Sequence, residues 1–360
     1  MELRIMKIHN FSAGPCILPA SVLSEAAQAV SNFNDSGLSL IEISHRSPEF
    51  VSVMEEARAL VKELLNLPDR FDVLFLQGGA SLGFLTAAYN FLPDGGRAAY
   101  IDTGTWANKA VKEAKNLGGI DVIGSSKDTN YNQIPDCGAV SKGSAYLHFT
   151  SNNTIFGTQF RETPATEVPL IADMSSDIFS KEFDANPFHL IYAGAQKNMG
   201  PAGTVMYAFD KEAAGKTNRN IPSYLDLEVH ASKDSMFNTP AVFPVYVTML
   251  TLRWIKALGG VKAMELRNSK KAKLMYGEID RNALFKGHAN EASRSTMNAT
   301  FQLKDEAHAH AFDALWKGAG ISGIKGHRSV GGYRASMYNA LPEESVQVLV
   351  DVMKELERKA

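Results

Sequence analysis

The stretch AGAQKNMGPAG, residues 193–203, sets a single lysine, Lys197, among glycines, alanines and a proline. It comes directly after FHLIY (188–192), an apolar run with the length and composition of a buried strand. In open α/β sheets, ligands bind beyond the carboxyl ends of the strands. A lone ammonium projected from such an end, into a loop stripped of bulky side chains, marks the place to look for a site.

Working outward from it, strand-like runs alternate with amphipathic helical stretches between about residues 71 and 209. FDVLFLQ (71–77) precedes SLGFLTAAYNF (81–91), and RAAYID (97–102) precedes TWANKAVKEAKNL (105–117). AYLHF, VPLIADM, FHLIYAG and TVMYAF come later in the chain. Near-continuous apolar strands separated by helices predict an α/β fold with a large, doubly wound, mostly parallel sheet. PAVFPVYVTMLTL (240–252) reads as a core helix or a subunit contact. After ALGG, near residue 258, the pattern changes to a long helix, a β-like STMNATFQL, another helix, a Gly-rich segment and a closing helix. This predicts a smaller α+β C-terminal domain over residues 259–360. A large domain spans 16–258, and residues 1–15 form an N-terminal segment joining the small domain. Two domains make a cleft, where ligands bind.

Lys and Arg number 37 against 39 Asp and Glu, a formal net charge of −2, with no basic stripe, which argues against nucleic acid as partner. The two cysteines, Cys16 and Cys137, have neither a metal-ligand nor a CxxC spacing and fit a reducing compartment. No apolar run approaches a membrane span, and the N-terminus carries no signal-like h-region. A cytoplasmic protein without membrane contact is expected.

Other strand ends carry chemistry too. Gly79, Ala80 and Ser81 form a Gly-rich turn entering a helix, suited to a phosphate but equally a simple strand-to-helix turn. Asp173 ends VPLIAD and either caps the next helix or holds a ring nitrogen protonated. Trp106 opens a helix and serves either the core or as a flat surface for a heteroaromatic ring. A lysine walled by strand ends and cationic neighbours loses solvation of its charged form, falls below ~10.4 and becomes nucleophilic. Phosphate cradle, ring-nitrogen carboxylate, stacking aromatic and Schiff-base lysine together describe a pyridoxal phosphate site.

Over essentially its full length the sequence resembles the phosphoserine aminotransferases, class-V-type members of the fold-type I pyridoxal phosphate enzymes. NFSAGP (10–15), ISHRS (43–47), GTWANKA (104–110), ADMSSDI (172–178), AGAQKNMGPAG, FNTPAVFPVY (237–246) and KGHRSVGGYRASMYNA (325–340) carry the resemblance. It implies that Lys197 carries the cofactor as a Schiff base and shuttles the substrate proton. Gln196 and the Gly79–Ser81 turn would hold the cofactor phosphate, Asp173 the pyridinium nitrogen, Trp106 the ring face and Thr154 the phenolic oxygen side. Asn238 and Thr239 would reach the cofactor phosphate of a neighbouring subunit, making the active unit a symmetric homodimer with active sites at the subunit interface.

The implied reaction alternates between glutamate and 3-phosphohydroxypyruvate in serine synthesis, and in many bacteria extends to 4-phosphohydroxythreonine in pyridoxine synthesis. It needs a carboxylate clamp, for which Arg334 is the candidate, and an adaptable anion pocket, for which the pairs His45–Arg46 and His327–Arg328 are candidates. The turn departs from many bacterial relatives in having Ala80 and Ser81 where an arginine helps hold the substrate phosphate. The rivals are another fold-type I activity, such as an alanine-glyoxylate type transaminase or a cysteine desulfurase, and a non-catalytic binder of a small anion.

Overall fold

A computed structural model describes residues 7–360. Residues 1–6 of the expected N-terminal segment lie outside the described residues.

The apolar runs assemble into one seven-stranded sheet. Its spatial order is Phe71–Gly78, Gly203–Asp210, Phe188–Gly194, Leu170–Asp173, Leu147–Thr150, Arg97–Asp102, Gly119–Ser125. Gly203–Asp210 is antiparallel to both its neighbours, and the other pairs run parallel. Side chains alternate between two cores, as the period of a strand requires. Phe71, Val73 and Phe75 enter one with the helices Ala20–Ser31, Pro48–Leu64 and Val242–Ala257. Leu74 and Leu76 enter the other with Ala80–Phe91 and Thr105–Ala114. Both faces are covered, so the sheet is doubly wound as expected, and PAVFPVYVTMLTL becomes a core helix.

A third apolar cluster gathers Phe11 with residues of the three-stranded antiparallel sheet formed by Phe285–Gly287, Asn298–Leu303 and Tyr333–Ser336. The helices Ala309–Gly318 and Glu343–Lys359 cover it. The 22-residue helix Gly260–Arg281 belongs to two cores, since Val261 and Met264 pack in the first cluster and Ala272, Met275 and Ile279 in the third. His9–Asn10 pairs in parallel with Ile321–Ser322, which holds the start of the described chain against this second sheet's surroundings.

Helix Ala80–Phe91 lies close enough to the sheet that a Cβ at Gly83 would stand 2.5 Å from Tyr192 Cδ2. Tyr192 is fully buried and hydrogen-bonded to His148 at 2.8 Å, so it has nowhere to move. Gly83→Ala is expected to destabilise the fold by about 1–3 kcal/mol through overpacking. A urea midpoint equal to that of the parent chain would contradict this.

Candidate active site

Parallel pairing sets Asp173 opposite Tyr192, so the two central strands leave the sheet together at their carboxyl ends. Asp173 is 4% exposed. Its Oδ1 accepts the Ser175 N–H at 3.0 Å and the Ser175 hydroxyl at 2.5 Å. The capping reading therefore holds for one oxygen, as a local turn rather than a helix start. No donor among the described residues reaches Oδ2. Burial pushes the Asp173 carboxyl above its usual range, opposed by the Ser175 donors and the Lys197 ammonium.

Lys197 sits in the tight turn after Phe188–Gly194. Its Nζ donates to Thr154 Oγ1 at 2.6 Å and lies 5.7 Å from the Trp106 ring centroid. The amine is lowered to about 8, mainly by burial, with Asp173 opposing the shift and Arg334 adding to it. At pH 7 roughly one such amine in ten is neutral, against about one in a few thousand for a free lysine.

An open cavity joins these groups, and Gly79, Ala80, Ser81, Trp106 and Gln196 line it with Asp173 and Lys197. Ala80 is the first residue of its helix, so the N–H groups there have no partner within the helix and suit an anion. Gly194 permits the approach, since a Cβ on it would stand 3.3 Å from Ala80 N. Thr150, Asn152, Ser175 and Ser176 also line the wall, and nothing in the sequence alone distinguishes them as ligand-binding. Thr150 Oγ1 and Trp106 Nε1 are buried and without a hydrogen-bond partner among the described residues.

From the smaller sheet, Arg334 brings a guanidinium to the same place, its Nη1 at 3.4 Å from Thr154 O. It forms no ion pair among the described residues, its Nε is buried without a partner, and burial lowers its pKa. His327 is half-buried, its Nδ1 2.7 Å from Ser329 Oγ, and it is held below its ordinary value by burial, then by Arg334, Arg328 and Lys109.

Neither His327 nor the exposed Arg328 lines the cavity, and four further expected residues lie elsewhere in the chain. His45 and Arg46 precede helix Pro48–Leu64, and neither lines the cavity, although His45 Nε2 is buried without a partner. Asn238 and Thr239 are exposed, with Thr239 O accepting from Gln77 Nε2 at 2.7 Å. Cys16, by contrast, reaches the site: its thiol donates to Lys197 O at 2.5 Å and is pushed up to about 12, mainly by burial.

The chain belongs to the class-V aminotransferases: the family model described as Aminotransferase class-V matches residues 8–349. Among its relatives is the phosphoserine aminotransferase of Flavobacterium psychrophilum, 61% identical over 355 residues, covering 98% of this chain and 100% of the relative. The solved phosphoserine aminotransferase of Bacillus circulans subsp. alkalophilus superposes with a TM-score of 0.94 at 42% identity, covering 98% of this chain and 99% of the other. The PLP-bound phosphoserine aminotransferase of Trichomonas vaginalis does so with a TM-score of 0.91 at 34% identity, covering 97% and 100%.

The enzyme depends on pyridoxal phosphate, and the residues present fit that group. An undonated carboxylate oxygen, an indole face, a helix start and an amine of lowered pKa surround one cavity. Since only the neutral amine adds to an aldehyde, the rate at which apoenzyme turns yellow with the cofactor is expected to rise between about pH 6.5 and 9. Removing the charge that favours the ammonium, with Asp173→Asn, moves the midpoint down. A midpoint unmoved or raised in stopped-flow absorbance would refute the assigned coupling.

Proposed function

We infer that the chain is a phosphoserine transaminase, exchanging an amino group between glutamate and 3-phosphohydroxypyruvate to give phosphoserine and 2-oxoglutarate in serine synthesis. The observation that carries the reading is Arg334: a largely buried guanidinium without an acidic partner, beside an amine of lowered pKa and across from a buried carboxylate. A cation so placed calls for an anionic substrate.

When bound, pyridoxal phosphate supplies an electron sink that acidifies the substrate α-carbon. Asp173, whose Oδ2 has no donor among the described residues, would hold the ring nitrogen and keep its proton in place. The N–H groups at Ala80 and Ser81, with Gln196, would hold the phosphate. Trp106 supports the ring, and Thr154 orients the Lys197 amine through the hydroxyl it already shares with it. Lys197 Nζ takes the proton from the α-carbon and returns it on the other side of the reaction. Arg334 grips the α-carboxylate of each substrate in turn.

The phosphate end of the substrate meets His327 and Arg328. We propose that His45 and Arg46 complete that pocket from a second copy, and that Asn238 and Thr239 of that copy reach the cofactor phosphate. This makes the working unit a homodimer. We also propose the division of the chain near residue 258, with residues up to 15 joining the smaller part, in line with the packing of Phe11 among its side chains. No helix among the described residues is long and apolar enough to cross a membrane; a cytoplasmic setting is our reading.

Steady-state assays of the holoenzyme with glutamate and either 3-phosphohydroxypyruvate or hydroxypyruvate test the function. The phosphorylated acceptor is expected to have a kcat/KM at least about 10²-fold higher, the scale set by losing a charged group a site is built to bind. Equal values would remove the phosphate specificity, and no transamination at all would remove the reaction.

A further inference from the structure

The turn after the strand Phe71–Gly78 reads Gly78-Gly79-Ala80-Ser81 and brings no cation to the cavity. We propose that Lys109, on the neighbouring helix Thr105–Ala114, supplies a cation on this side of the site and determines specificity for the substrate phosphate, an inference that rests on the transaminase reading above.

Lys109 lies three positions beyond Trp106, so the two share one helix face. Its Nζ lies 4.5 Å from the Trp106 ring centroid, the ring that also has Lys197 Nζ at 5.7 Å. Its exposed head thus lies against the indole that lines the cavity, within reach of an anion bound beside that ring. It forms no ion pair among the described residues.

The cations near His327 include Lys109. His327 feels Arg334, Arg328 and Lys109, each of which disfavours its protonation, and no carboxylate among the described residues offsets them there. The loop carrying His327 and Arg328 continues through Gly331 and Gly332, both with positive φ of +74° and +57°. Those conformations are open to glycine at little cost and turn the chain sharply between the His327–Arg328 pair and Arg334. Cations gathered without a counter-ion repel one another until an anion arrives, and a phosphate dianion relieves more of that repulsion than a carboxylate.

A lysine suits this position because its compact charge on a flexible stem tracks whichever anion is present. That anion is the phosphate of one substrate or the distal carboxylate of the other. Arg334, with its planar fork, serves the invariant carboxylate instead.

The test uses holoenzyme carrying Lys109→Gln or Lys109→Arg, assayed with 3-phosphohydroxypyruvate and with hydroxypyruvate. The ratio of their kcat/KM values is expected to fall about ten- to a hundredfold in Lys109→Gln, through KM more than kcat, and to recover largely in Lys109→Arg. Inorganic phosphate, as competitive inhibitor, is expected to bind at least about tenfold more weakly to Lys109→Gln. An unchanged ratio, whether both activities stay or fall together, overturns the proposal, because a residue that only props up Trp106 affects both acceptors alike. So does weaker cofactor retention with an unaltered ratio. If the parent enzyme itself shows no preference for the phosphorylated acceptor, the transaminase reading of the pocket fails first, and the two failures are thereby told apart.

Discussion

Replacing Lys197 by alanine is expected to lower kcat by about 10⁴-fold with either substrate pair, the upper range for removing a positioned general base. Two losses combine. The proton on the α-carbon has no other neutral amine within reach, since the remaining cation of the inner site, Arg334, does not give up its proton near neutrality. The covalent hold on the cofactor goes as well. Borohydride reduction and then peptide mass analysis separate them. In the parent chain the pyridoxyl group is recovered on the peptide containing Lys197, and in the variant on none. Recovery on a different lysine, with activity retained, would refute the assignment. Lys271 makes a useful internal control: it is also buried and lowered to about 7, mainly by burial, yet both of its hydrogen bonds go to the Met337 and Tyr338 carbonyls, at 2.9 and 2.7 Å. A shifted lysine need not be a catalytic one. The difference is that Lys197 is aimed at a hydroxyl in an open cavity.

Arg334→Ala is expected to cost about 10²- to 10³-fold in kcat/KM for both half-reactions, the equivalent of two charge-assisted hydrogen bonds discounted for the desolvation they relieve. Because the same clamp serves both substrates, the preference for phosphorylated over unphosphorylated acceptor stays as it was. That separates this residue from Lys109, whose removal changes the ratio. Arg334→Lys restores only part of the loss, since a single ammonium does not match the two oxygens of a carboxylate. There is a second consequence with a definite sign. Arg334 lowers the Lys197 pKa, so its removal moves the pH midpoint of cofactor uptake upward, opposite to the shift from Asp173→Asn. A downward shift in Arg334→Ala would show the charge coupling to be misassigned.

The strand-end rule makes Lys197, Asp173, Trp106 and the Gly79–Ser81 turn legible, because each comes after an apolar run whose period and length mark it out. Thr150 and Asn152 come after such a run too, AYLHF, yet threonine and asparagine in a loop carry no distinguishing charge. Lys109 is hidden for a different reason: a lysine on an amphipathic helix has many innocent neighbours, Lys112 and Lys115 among them. The reversed direction of Gly203–Asp210 leaves no mark in TVMYAF, since a strand buried on both faces has the same pattern read either way. The proximity of Cys16 to the Lys197 carbonyl joins residues 181 positions apart and has no local signal at all. His45–Arg46 and Asn238–Thr239 show the converse. Motif resemblance implies a role for them at the cavity, whereas in the single chain none of the four lines it.

The reversed strand also bears on how far the amine can travel. Had Gly203–Asp210 run parallel to its neighbour, a long crossover would have separated them. Instead the link is a compact turn, its ends drawn together by the bond from Ala195 N–H to Thr204 O at 3.0 Å and its middle pinned by the Cys16 thiol on the Lys197 carbonyl. The anchor point of the lysine is therefore as stationary as the sheet itself. All the motion needed to pass a proton from one carbon to another is confined to four methylenes pivoting on a fixed post.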